Sequence, residues 1–161
     1  MDNKTKLILH SIVRLLDDAT GSPQDGSWRA RAEQIGPDDE SALRILVLAL
    51  SLKIPAAQEA HEAVSERLAG THSPTASHLN KGSALWKKPF LQDSEKKAIE
   101  SAVVNYFQQM GQFSSQIPEV RGALEQRELA GRLSAASVVD KWVSSMRQLS
   151  TDLKTILKKA G

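Results

Sequence analysis

Residues 139–159, Val-Asp-Lys-Trp-Val-Ser-Ser-Met-Arg-Gln-Leu-Ser-Thr-Asp-Leu-Lys-Thr-Ile-Leu-Lys-Lys, decide the fold class. Val139, Trp142, Met146, Leu149, Leu153 and Ile156 recur at gaps of three and four, the spacing that lines side chains along one side of an α-helix. Ile99, Val103, Tyr106, Met110 and Phe113 repeat the rhythm. An isolated helix of this kind is marginal in water, so both rows need a surface to pack against. Val143 and Leu157 widen the last row to a third column, which suits a helix enclosed in a bundle. The same six residues also alternate as the a and d positions of a coiled coil, which makes them the candidate interaction face for a partner or a second copy.

Upstream, the same reading predicts a helix from Asp2 or Asn3 to Ala19, with Ile8, Ile12, Leu15, Leu16 and Ala19 inward and Gly21 and Pro23 as its stop. Ser27 is placed to cap a short helix over Trp28–Ile35. Pro37 fits a first helical position and Asp38, Asp39 and Glu40 suit the positive end of a helix dipole. The run Ala42–Leu52 behind them is almost uniformly apolar and is expected to form the buried centre of the fold. A new segment is expected to start at Pro55, with Ala57, Ala60, Val64 and Leu68 as a narrow stripe. Gly70–Ser83 shifts to Thr, His, Ser, Pro, Asn and Gly and reads as a boundary or loop. Asp93 or Ser94 then opens a helix to Gln112, Pro118 opens another that weakens around Gly122 and Gly131, and Ser134 caps the last. No period-two pattern argues for a sheet.

The expectation is therefore an all-α bundle of five to seven helices, either one body or two lobes: an N-terminal lobe 1–70, a hinge 71–92 and a C-terminal lobe 93–161. Residues 1–70 hold 8 Lys/Arg against 11 Asp/Glu, a net −3, while residues 71–161 hold 13 against 8, a net +5. Such polarity either orients two lobes against each other or leaves the second half facing an anionic partner. With 40% apolar residues the chain can bury a core. The absence of cysteine excludes disulfides, thiol nucleophiles and thiolate metal sites and suits a reducing, cytoplasmic location. His10 and Arg14 break the first apolar stretch too early for an export signal, and Ile45–Leu50 is far shorter than the roughly 20 residues of a membrane span.

Motifs with specific chemistry are sparse. His61-Glu62 begins like a zinc-protease helix, but Ser65 occupies the place of the second histidine. His72 and His78 have no neighbouring carboxylate. Ser94 and Lys97 share the spacing of acyl-transfer serine–lysine pairs without the companion motifs, and no glycine-rich phosphate loop occurs. No metal or cofactor is expected. Lys81, Trp86, Lys87, Lys88, Phe90, Lys96 and Lys97 interleave cations with aromatic rings, a pattern that could grip phosphates and stack bases. Leu129, Ala130, Leu133, Val139 and Trp142 approach helix-turn-helix spacing, although the turn at Ser134 has no glycine. With no convergent acid, base, nucleophile or metal set, the first expectation is a non-enzymatic interaction or assembly subunit acting through amphipathic helix faces. Its partner would be another protein or a second copy. The alternative is an accessory nucleic-acid-binding subunit using the Lys81–Lys97 segment.

Overall fold

A computed structural model describes residues 1–21, 26–36, 38–69, 93–126 and 128–161. Among these residues there are six helices and no strand: α1 (Asn3–Thr20), α2 (Trp28–Glu33), α3 (Glu40–Ala69), α4 (Asp93–Gln109), α5 (Phe113–Glu125) and α6 (Leu129–Lys159). The protein is an all-α helical bundle. Its axis is α6, 31 residues long, which packs against each of the other five.

That role follows from the width of its apolar surface. Val139, Trp142, Met146, Leu149, Leu153 and Ile156 are all buried, and Leu133, Val138, Val143 and Leu157 are half-buried to either side. A helix apolar over so much of its girth must be wrapped rather than laid on one neighbour. The six residues therefore belong to the core of the chain itself. As a face offered to a partner they are corrected: α1 through α5 already occupy it. One apolar cluster joins side chains from all six helices, so the expected division into residues 1–70 and 93–161 is not a division of the core.

Polar contacts fix how the helices sit on α6. On α1, Asp17 accepts a 2.6 Å hydrogen bond from the Ser150 hydroxyl and pairs with Lys154 at 2.9 Å. Burial pushes the Asp17 carboxyl up, but the Ser150 and Lys154 bonds outweigh it and hold it below the ordinary carboxylate range. The last carbonyls of α1 would be left without helical partners. Lys53 donates to Ala19 O and Arg147 to Thr20 O, each at 3.1 Å. The short α2 is too small to stand alone. Asp140 on α6 holds its first turn, accepting from the backbone N–H of Trp28 at 2.8 Å and of Arg29 at 3.0 Å. Trp142 donates its indole N–H to Gln116 Oε1 at 2.9 Å and meets the Phe113 ring edge-on, which seats α5.

Several helix boundaries differ from the local reading. The caps expected at Asp2 and Ser27 are present, Asp2 accepting from Thr5 N–H and Ser27 from Ala30 N–H, whereas α3 is capped by Asp39, which accepts from Ala42 N–H. On α1 the buried row is Leu9, Ile12, Val13 and Leu16, with Ile8, Leu15 and Ala19 half-buried beside it. Helix α3 runs through Pro55 and α5 through Pro118, and both prolines lie on the exposed side of their helix, where their rings displace no core side chain. Helix α6 begins at Leu129 and passes Gly131 and Ser134 without a break, which removes the helix-turn-helix reading. Gly131 serves close packing: a Cβ there would come within 2.9 Å of the Ala123 carbonyl oxygen of α5 and 2.8 Å of Gln126 Oε1.

Two stability measurements check this account. Leu153→Ala, at a fully buried site, should cost about 2–5 kcal/mol in chemical denaturation. Gly131→Ala should lower the unfolding midpoint even though alanine is favoured in a helix interior by about 1 kcal/mol, because the Ala123 backbone cannot yield like a side chain.

Candidate functional site

The centre expected at Ala42–Leu52 is buried on one side only. Leu43, Leu46 and Leu50 enter the core, whereas Ile45, Leu48 and Leu52 are 67%, 60% and 73% exposed. Their gaps of three and four place them in one row on the outer side of α3. Exposed Ser41 precedes the row and exposed Pro55 extends it by another turn. Single exposed leucines are ordinary on protein surfaces; a contiguous row of them marks a contact site or an aggregation hazard. Leu7 on α1 and Val104 on α4 are also exposed.

The electrostatics of this face are one-sided. Exposed Glu59 and Glu62 follow Pro55 one and two turns on, and exposed Asp38, Asp39 and Glu40 precede the row. Between them stand two cations. Lys53 is half-buried and engaged with Ala19 O, and Arg44 is exposed beside the row.

The inner side of α3 holds the most perturbed titratable pair. His61 Nδ1 lies 2.6 Å from the Tyr106 hydroxyl of α4, a hydrogen bond in which the hydroxyl donates when the imidazole proton sits on Nε2, and its ring packs against Tyr106, Phe107 and Phe113. Burial pushes His61 down to about 4 and the Tyr106 phenol up, so both stay neutral near pH 7. Ser65, in the place a metal-binding histidine would need, is buried and donates to the His61 carbonyl at 2.7 Å. The pair is a satisfied bridge between α3 and α4. Among the described residues no group of three or more histidine, aspartate and glutamate side chains is arranged to hold a metal, and no helix is long and apolar enough to cross a membrane.

Two cavities lie between the helices. One of about 740 Å³ between α4 and the end of α6 is lined by Ala98, Ala102, Asp152, Ile156 and Lys159, and its Glu95 pairs with the Met1 amino group at 3.5 Å. The other, about 540 Å³, is lined by Arg31, Lys53, Asp140 and Arg147 among others. There Asp140 is taken by the α2 backbone, Lys53 and Arg147 hold the end of α1, and Arg31 lies over the Trp28 ring. Neither cavity contains a histidine or a nucleophile paired with a base.

Of the residues suggested for nucleic-acid binding, Lys96 is half-buried and Lys97 exposed in the first turns of α4, with Ser94 exposed beside them. Lys81, Trp86, Lys87, Lys88 and Phe90 lie outside the described residues, as do His72 and His78. The outer row of α3 was missed by sequence reasoning. The signal was present in the excess: Ile45–Leu50 is apolar at every position, more than one buried stripe requires. Comparison of the chain with known protein families, curated proteins and solved structures gives no match.

Burial of a neutral histidine predicts a pH dependence. Between its ordinary value near 6.5 and about 4, the unfolded chain binds a proton at His61 that the folded one excludes. The stabilisation is complete above pH 6.5 and is lost as pH falls, by on the order of 3 kcal/mol at pH 4. Denaturation between pH 7 and 5 should show that slope, and His61→Leu should flatten it.

Proposed function

We propose that the chain is a non-enzymatic helical interaction subunit of the cytoplasm and that it binds a partner protein through the outer face of α3. The observation that carries this reading is the row Ile45, Leu48 and Leu52, each at least 60% exposed on a chain that buries its other long apolar rows. Leaving three large side chains in water forgoes roughly 1.5–3 kcal/mol apiece, which a contact partner would recover. A helix face with apolar residues at i, i+3 and i+7 is a common docking surface for another helix. The His61–Tyr106 pair joins α3 to α4, and neither it nor either cavity assembles an acid, base and nucleophile for catalysis.

The double variant Leu48→Asp, Leu52→Asp separates contact from core. Its unfolding midpoint should stay close to that of the unaltered chain, since exposed substitutions usually change stability by less than about 0.5 kcal/mol. A stoichiometric partner recovered with the tagged protein from its source cells should be lost. Retention of that partner by a folded double variant, or substrate turnover by the pure protein, sinks the reading.

A further inference from the structure

Resting on the reading of α3 as a contact face, we infer that its occupant is an amphipathic helix of another protein that carries Lys or Arg at both ends of its apolar row. The row on α3 has the width and spacing of a helix-packing seam: Ile45, Leu48, Leu52 and Pro55 at gaps of three, four and three. Such a seam takes the matching row of a second helix lying along it.

Charge selects among the helices that could lie there. Glu59 and Glu62 stand beyond one end of the row and Asp38, Asp39 and Glu40 beyond the other. Carboxylates at both ends are complementary to ammonium and guanidinium donors. Reaching both acidic ends takes about 22 residues of helix, roughly 33 Å at the standard rise.

The same charges oppose a second copy of the chain. Paired antiparallel about the middle of the row, Glu59 and Glu62 of one copy come opposite Asp38, Asp39 and Glu40 of the other. Paired parallel, each carboxylate meets its own counterpart. Like charges set across a contact suppress that pairing. Polyanions are repelled from the face for the same reason.

The test is to titrate the whole chain, by fluorescence anisotropy, into two labelled 22-residue helical peptides with the same leucine row, one ending in lysines and the other in glutamates. The lysine-ended peptide should bind at least about tenfold more tightly. Raising the salt from low to physiological should narrow that preference. Leu48→Asp should abolish binding of both peptides, and Glu59→Lys with Glu62→Lys should remove the preference. Equal affinity for the two peptides, still lost in Leu48→Asp, overturns the charge assignment while leaving α3 as the contact face. A dimer seen by sedimentation and dissociated by Leu48→Asp, with neither peptide bound, makes a second copy the occupant and also overturns it. The absence of both peptide binding and self-association overturns this inference and the contact reading together.

Discussion

The breadth of the apolar side of α6, which packs against all five other helices, is the constraint on which the rest of the molecule depends. A helix with Val139, Trp142, Met146, Leu149, Leu153 and Ile156 on one row and Val143 and Leu157 beside it cannot satisfy its apolar surface with a single neighbour. Five helices surround it, and the specific polar contacts are made largely to it: Ser150 and Lys154 hold α1, Asp140 holds α2, and Trp142 reaches Gln116 of α5. The packing is apolar and non-directional, and these bonds choose one arrangement among those that packing alone would permit.

Set against that core, the outer side of α3 is the part of the molecule whose chemistry its own fold does not use. The helix has two unlike sides. Its inner side joins the aromatic cluster of His61, Tyr106, Phe107 and Phe113, where a neutral imidazole and a phenol satisfy each other. Its outer side presents an apolar row between acidic ends. Because the inner side is fixed by packing, the outer row is held in a defined geometry, which lowers the entropic cost of docking.

Features set by nearest neighbours along the chain were legible in the sequence. The capping oxygens of Asp2 and Ser27, the helical period of α4 and α6 and the all-α class all follow from local chemistry. Pro55, Pro118 and Gly131 were misread for one reason: whether such a residue ends a helix depends on which way it faces and what lies against it. Pro55 and Pro118 face water, and Gly131 faces the Ala123 carbonyl. The site was harder still. Periodicity reveals a helix with one apolar side, but Ile45–Leu50 is apolar all round and reads as buried, so the half of it left outside became visible only once the neighbours of α3 were known. The row on α6 failed in the opposite sense, since nothing local says whether an amphipathic face meets its own chain or another.

The order in which the chain is made gives the position of α6 a further meaning. Synthesis runs from the N-terminus, so α1 to α5 leave the ribosome before the helix they surround. Until residues 129–159 have followed, Leu9, Leu50, Val103 and Val120 lack much of the surface that covers them in the finished bundle. Closure of the core thus waits for α6 to emerge, and until then the nascent chain carries several uncovered amphipathic helices, the kind of surface that chaperones shield.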